Sequence, residues 1–444
     1  MKRFFIWAFT TLFLGSFALT SCNKDDEKND SNMADCTVIV YGMSGGSMDY
    51  TMEDVWREVR DQLTDQRIRV ICAYKYGKGG EYFTGHYANP GDFVVFELTK
   101  DTRFEDLHNY VVSDSTRSIT LFSAGTLTSV LNKAVRDAPA KKYVLATYGH
   151  GRGFECNLDY PMELWNQSKG VISDEWYDGM NMNMYELSKA IEQSDIHHLE
   201  CLLLHNCLMG GMESLTEVAP CVDYIIATPF MLTSENNPLI PTLVKNLRTK
   251  SDFESAARAT LDESADRLRD GYLHESLPYQ NGCVELLKAS ALNDICTTAS
   301  LLVNRLCELY STHQEAIDTA TCRAYQFLNT YPYFDLLDYA EKLADATQDS
   351  QFQAIHNQLA ADFGRAILKQ VTIDLGECAA LSAYSLSVVL MDKQYYNANS
   401  TLVPTFTRRQ AYEYTSFHQK TLWGNWLDTN LQIPTGNPCG QVIQ

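Results

Sequence analysis

The stretch LECLLLHNCLMGG, residues 199–211, organises the rest of this sequence. Its first six residues are apolar except for Glu200, and a glycine-containing turn follows, so it is best interpreted as a buried strand with Cys207 at its exit. A second apolar run, YVLATY (residues 143–148), ends in a Gly-His-Gly turn that contains His150. Each run therefore predicts a strand whose exit turn carries a chemically reactive side chain.

A helical pattern joins the two runs. The segment MYELSKAIEQ (residues 184–193) places Met184, Leu187 and Ile191 on one face. The order strand, helix, strand predicts parallel neighbours joined by a right-handed crossover. Ligands bind beyond the carboxyl ends of such strands, and adjacent strands lie about 4.8 Å apart. We therefore expect His150 and Cys207 to face one crevice.

An imidazole beside a thiol gives the chemistry of a cysteine hydrolase. The histidine can deprotonate or ion-pair the thiol, and the resulting thiolate is the nucleophile. Because Gly151 has no side chain, its N–H can approach a substrate carbonyl. With the N–H of Cys207 it is predicted to form an oxyanion hole, in which each donor contributes about 3 kcal/mol. The sequence identifies no third catalytic residue.

These motifs resemble those of the caspase-like cysteine peptidases and, among them, the clostripain family. The resemblance extends over most of residues 37–427. The motifs that carry it are YGHGRG (148–153), NCLMGGMES (206–214), YPYFDLLDYAEKL (331–343), LSAYS (381–385) and YTSFHQKTLWGNWL (414–427). It implies a caspase-like, mostly parallel sheet flanked by helices. It also implies a cysteine endopeptidase that acts on proteins or peptides.

One triplet departs from the family pattern. The family usually has Asp-Ala-Cys, in which the aspartate lies in the pocket that selects Arg or Lys at P1, whereas this chain has His205-Asn206-Cys207. A histidine cannot neutralise a buried guanidinium as an aspartate does, so this specificity is not carried over and the P1 preference is open. We interpret His205 as a wall of the substrate pocket and Glu235 as a replacement acid.

The long segment between the two motifs, residues 152–183, is expected to be functional, because loops of this length in compact domains rarely are passive connections. Clostripain relatives are often activated by cleavage here, which makes Arg152 and Lys169 candidate self-processing sites. A lid that stays uncleaved is the alternative. Relatives also often need calcium, the one cofactor that the resemblance implies, although the sequence has no EF-hand loop.

The N-terminus predicts export and a lipid anchor. Residues 1–21 have a basic start and an apolar run typical of a secretory signal, and they end in a sequence that resembles a bacterial lipobox with Cys22 as the lipidated residue. Residues 22–35 read as a flexible polar tether. We expect a protein of the cell envelope, held on the outer membrane and exposed at its surface. A start-anchored transmembrane helix is the alternative.

The remaining chain alternates strands and helices, which places it in the α/β class. We predict a catalytic domain over residues 36–250 and a mainly helical region, residues 251–444, packed on it. Further segments are assigned as strands (37–41, 68–74, 93–98, 224–228, 381–389) and, in the second part, as helices (286–310, 334–346, 352–368).

Charge and composition exclude some partners. The chain has 36 basic and 56 acidic residues and a net charge of -20. This acidity argues against nucleic acid and against adhesion to anionic membranes beyond the lipid itself. We expect a monomer.

Two other hypotheses stay open. The unusual triplet before Cys207 is compatible with an inactive, peptidase-like protein that only binds peptides. The other is a metal site, although no carboxylate follows at a recognisable ligand spacing and we predict no metal. Its ligands would come from His150, His197, His198, Cys201, His205 and Cys207.

Overall fold

The computed structural model describes residues 33–43, 48–78, 85–112, 119–151, 153–154, 171–177, 180–233, 238–274, 282–327, 332–373, 386–398 and 407–429. The described residues from Ala34 onward form one compact unit. The strands β1 to β12 are Ala34–Met43, Ile68–Lys75, Phe93–Leu98, Ala140–Gly149, Val171–Asp174, Met180–Met182, Leu199–His205, Val222–Ala227, Gly282–Lys288, Tyr333–Asp335, Ile367–Ile373 and Ser387–Val389. The helices α1 to α13 are Met48–Gln62, Ala124–Asp137, Met184–Gln193, Met212–Val218, Leu239–Thr249, Phe253–His274, Leu292–Arg323, Leu336–Thr347, Ser350–Ala366, Lys393–Asn397, Arg408–Glu413, Ser416–Thr421 and Trp423–Leu427.

Eight strands form one sheet in the order β11-β9-β8-β7-β4-β1-β2-β3. The pairs from β8 to β2 are parallel, whereas β3, β9 and β11 pair antiparallel with their neighbours. The sheet is therefore mixed with a parallel centre, and helices cover it, so the predicted α/β class is confirmed. Because β9 and β11 follow residue 250, the sheet draws strands from both predicted regions.

Strand β7 lies at the centre of two apolar layers. Leu202 and Leu204 join the layer that contains α2, α3, α4 and α7, whereas Cys201 and Leu203 join the layer that contains α1, α5 and α6. All four side chains are buried, which explains why β7 reads as a continuous apolar run and not as an alternating one. Burial of each leucine stabilises the fold by roughly 1.5–3 kcal/mol. The position of the exit of β7 is therefore firmly fixed.

The C-terminal region contacts the exit of β7. Strand β12 pairs antiparallel with β10, and Ser387 of β12 forms a bridge with Gly211 in the turn after β7. The N–H of Ser387 donates to the carbonyl of Gly210 at 3.1 Å. Residues far downstream thus help to shape the turn after Cys207.

The helices in the described part of the chain lack the combination of length and apolar character that a membrane-spanning segment needs.

Part of the long segment after His150 is a hairpin, formed by the antiparallel strands β5 and β6. Asp174 of this hairpin receives hydrogen bonds from Lys75 Nζ, at 2.9 Å, and from the N–H of Leu121, at 3.2 Å. Lys75 and Asp174 are both fully buried. The hairpin is therefore tied to the sheet at β2. The predicted cleavage sites Arg152 and Lys169 lie outside the described residues.

Candidate active site

The two central strands β4 and β7 are paired in parallel, with Tyr148 opposite His205 at the last position of the ladder. His150 and Cys207 each follow two residues later. Since both strands run in the same direction, the structure places the two residues at one edge of the sheet, on adjacent strands about 4.8 Å apart.

The exit turns of β4 and β7 touch directly. A Cβ atom built on Gly151 would lie 2.4 Å from the carbonyl oxygen of Cys207 and 2.9 Å from its nitrogen. Only a residue without a side chain fits this approach. The backbone of Gly151 is therefore adjacent to that of Cys207, as an oxyanion hole built from their two N–H groups requires.

The turn that carries Cys207 has an uncommon backbone. Leu208 has a φ of 61°, a left-handed conformation that costs a bulky residue roughly 1–3 kcal/mol. Hydrogen bonds to the chain after β8 hold it, because the N–H of Leu208 donates to the carbonyl of Phe230 at 2.8 Å and that of Gly210 donates to the carbonyl of Thr228 at 2.8 Å. This conformation turns the chain sharply just after the cysteine.

Cys207 differs from the cysteines of the core in its access to solvent. It is half-buried, and its Sγ accepts a hydrogen bond from the N–H of Leu232 at 3.3 Å. By contrast, Cys36, Cys72 and Cys201 are buried. Burial raises the pKa of the Cys36 thiol to about 12 and raises the pKa values of the Cys72 and Cys201 thiols as well. Those three cysteines therefore stay protonated and unreactive, whereas Cys207 is accessible at the sheet edge.

The residue before the cysteine makes contacts that the sequence does not predict. The Asn206 side chain is buried, and its Nδ2 donates to the carbonyls of Gly149, at 2.8 Å, and His150, at 3.3 Å. Its Oδ1 accepts a hydrogen bond from the hydroxyl of Thr147. The sequence feature that could have indicated these contacts is the polar Asn206 at a position that continues the apolar face of Leu202 and Leu204. His150 itself is exposed.

His205 lies on the opposite face, toward α1. Its ring is buried and stacks on the ring of Tyr148 with a centroid distance of 4.5 Å and an angle of 18°. The Tyr148 hydroxyl shares a 2.6 Å hydrogen bond with Thr51 Oγ1 on α1. An aromatic pair therefore underlies the site on this side. Glu235, the predicted replacement acid, lies outside the described residues.

More tyrosine hydroxyls tie the first turns of α1 to the sheet. Tyr74 donates to Asp49 at 2.7 Å, and Tyr76 donates to Glu53 at 2.9 Å. Burial raises the pKa of the Asp49 carboxyl to about 6. These contacts fix the end of α1 beside Tyr148 and so help to hold this side of the site.

Helix α4, which follows the Cys207 turn, is braced by the C-terminal region. Glu213 Oε1 accepts hydrogen bonds from the N–H of Val389, at 2.9 Å, and the hydroxyl of Tyr412, at 2.7 Å. One turn later, Glu217 accepts from the N–H of Ser416 at 2.6 Å. Complete burial raises the pKa of the Glu213 carboxyl to about 7. Because both glutamates bind distant segments, the position of α4 depends on the region after residue 386.

Two of the histidines proposed as metal ligands, His197 and His198, lie apart from the other candidates. His197 and His198 precede β7, and His198 Nε2 lies 3.0 Å from an oxygen of Asp223. The seven residues of β7 span roughly 20 Å, which separates these histidines from Cys207 at the other end. Within the described parts of the chain, no group of three His, Cys, Asp or Glu side chains is arranged to hold a metal ion.

Comparisons with known proteins agree with this geometry. The model of the clostripain family matches residues 50–429. The fold is similar to that of an inactive zymogen C11 protease from Parabacteroides distasonis, with a TM-score of 0.57, 15% identity and coverage of 88% of this chain and 98% of that one. It is also similar to a secreted C11 cysteine protease from Bacteroides thetaiotaomicron, crystallised with an irreversible peptide inhibitor, with a TM-score of 0.58, 16% identity and coverage of 88% and 99%.

No curated protein matches the chain significantly. The identities to the solved structures are low, so those structures establish a shared fold, whereas the family model spans well over half of the sequence. The chain therefore belongs to the clostripain family and is a cysteine-type peptidase, with proteins or peptides as substrates.

Proposed function

We propose that this protein is an endopeptidase in which Cys207 and His150 form the catalytic dyad. The observation that carries the proposal is the parallel register of β4 and β7, in which Tyr148 pairs with His205. His150 and Cys207 each follow two residues later, so this register brings them to neighbouring positions. The close approach of Gly151 to Cys207 adds support, because it brings the two proposed oxyanion donors together.

The reaction follows from these positions. His150 takes the thiol proton, and the Cys207 thiolate attacks the scissile carbonyl carbon. The N–H groups of Gly151 and Cys207 stabilise the oxyanion of the tetrahedral intermediate. His150 then gives its proton to the leaving amine, which leaves a thioacyl-enzyme. Water, deprotonated by His150, attacks the thioester carbonyl, and the thiolate departs and recovers the proton.

We propose that the enzyme prefers an uncharged P1 side chain, including the aromatic ones, over Arg or Lys. The stacked rings of His205 and Tyr148 support this proposal, because they offer no full negative charge to a guanidinium or ammonium group. The wild-type chain should therefore cleave a peptide library mainly after uncharged residues. Turnover in this assay also separates an enzyme from a protein that only binds peptides.

Replacing His205 by aspartate should introduce cleavage after Arg and Lys. The carboxylate supplies a charge-assisted hydrogen bond worth roughly 1.5–3 kcal/mol, which corresponds to a gain of about 10- to 150-fold in kcat/KM for basic P1 residues. The matched control is His205→Asn, because asparagine has nearly the same shape as aspartate but no charge. This variant should show no such gain. If His205→Asp gives no gain, or if the wild type already prefers Arg or Lys, the pocket acid lies elsewhere, with Glu235 as the first candidate.

We also propose that lipid on Cys22 anchors the protein in the bacterial envelope. The support is the basic and apolar N-terminal segment that ends in a lipobox-like sequence before this cysteine. Fractionation of cells should find the wild-type protein with the membranes and a Cys22→Ser protein among the soluble proteins. Equal partitioning of the two would contradict the anchor.

A further inference from the structure

Asn206 joins the two turns that carry the proposed dyad. The backbone ladder between β4 and β7 has its last pair at Tyr148 and His205. Beyond that pair, the side chain of Asn206 connects the two chain segments, because its Nδ2 donates hydrogen bonds to the carbonyls of Gly149 and His150. It therefore links the backbone of the histidine to the residue that immediately precedes the nucleophile.

The orientation of the amide follows from its partners. The carbonyls of Gly149 and His150 can only accept hydrogen bonds, so the atom that faces them must be the NH2 group. The other end of the amide then faces the hydroxyl of Thr147, which can donate. Since Asn206 and Thr147 are both buried, water cannot replace these bonds without a rearrangement of the core. An alanine at position 206 would make none of them.

We propose that Asn206 is a positioning residue that fixes the backbone of His150 and thereby sets its imidazole over the Cys207 thiol. This inference rests on the proposed roles of those two residues. The imidazole is attached to the turn that Asn206 binds, and displacing a reacting group by about 1 Å can lower a rate about 100-fold. Thr147 acts through Asn206, because its hydroxyl holds the amide in this orientation.

The main test is Asn206→Ala in the full chain. We expect kcat to fall about 100-fold with KM little changed, since the substrate pocket is left intact. The second readout is the pH dependence of iodoacetamide alkylation at Cys207, followed by mass spectrometry of the peptide that contains it. Because the imidazole assists ionisation of the thiol, the alkylation profile of Asn206→Ala should move toward that of His150→Ala.

A matched control separates positioning from stability. Asn246 is another buried asparagine, and its Nδ2 donates to Thr260 Oγ1 at 3.3 Å. Asn246 lies near the end of α5, where Arg248 contacts Asp65. Because Asp65 precedes β2, this end of α5 lies at the edge of the sheet opposite the proposed site. Asn246→Ala should lower the melting temperature as Asn206→Ala does, while kcat and the alkylation profile of Cys207 stay at their wild-type values.

Substitutions at Thr147 keep the test decisive if Asn206→Ala does not fold. Thr147→Val removes the hydroxyl at nearly constant volume and should change kcat and the alkylation profile in the same direction, whereas Thr147→Ser should restore both. Wild-type kcat and alkylation profiles in the folded Asn206 and Thr147→Val variants would overturn the proposal. If His150→Ala itself has the wild-type alkylation profile, the failure is that of the dyad and not of Asn206 alone.

Discussion

Replacing Cys207 by alanine is expected to abolish peptide hydrolysis. Without the thiolate there is no nucleophile to form the thioacyl-enzyme, and loss of a catalytic nucleophile lowers kcat by roughly four to six orders of magnitude. Covalent labelling by a peptidyl acyloxymethyl ketone should disappear with it, because the same sulfur displaces the leaving group of the probe. Initial rates on the best library substrate and the mass of the labelled protein measure the two effects.

A second cysteine provides the control for this substitution. Cys307 is exposed on α7 and so is open to modification, yet it lies on a helix outside the site. Cys307→Ala should retain wild-type turnover and probe labelling. Turnover that survives Cys207→Ala, or a probe adduct found on another residue of the wild type, would refute the proposed nucleophile.

Replacing Gly151 by alanine is expected to lower kcat/KM by about a hundredfold or more. The added methyl group would lie 2.4 Å from the Cys207 carbonyl oxygen and 2.7 Å from Asn206 Cβ, so the exit turns of β4 and β7 must move apart. This shift separates the imidazole from the thiol and moves one of the two oxyanion donors. Steady-state kinetics, with circular dichroism to confirm folding, checks the expected loss.

A glycine outside the site serves as the comparison. A Cβ on Gly364, in α9, would meet no atom within 4 Å, and alanine favours a helix over glycine by roughly 1 kcal/mol. Gly364→Ala should therefore keep full activity and raise the melting temperature slightly. A folded Gly151→Ala protein with wild-type kinetics would show that close packing of the two turns is not needed for catalysis.

Local sequence patterns predict the parallel centre of the fold well. Helix α3 occupies residues 184–193 as its apolar spacing indicates, and β7 and β4 contain the runs expected of them. Such patterns succeed here because buried strands and amphipathic helices expose their period within a few residues. The glycines beside His150 likewise mark a turn.

The same patterns fail at the edge of the sheet. The residue patterns predict helix at 286–288 and 367–368, but these residues belong to β9 and β11. Residues 334–335, also predicted as helix, belong to β10. In β9, the apolar residues Val284, Leu286 and Leu287 run almost directly into helix α7, so the sequence offers no clear break between strand and helix. Pairing with β8 and β11 decides the conformation, because hydrogen bonds between strands can override local preference.

The sequence by itself indicated the family and the central strands, and it supplied the hypothesis that His150 and Cys207 form a dyad, since each depends on short motifs or on local hydrophobic periodicity. Only the tertiary structure revealed the stacking of His205 on Tyr148, the bonds of Asn206 to the histidine turn, and the contact of Glu213 with Tyr412, 199 residues away. These interactions join segments distant in the chain. Their geometry is set by how strands and helices pack, which no local pattern encodes.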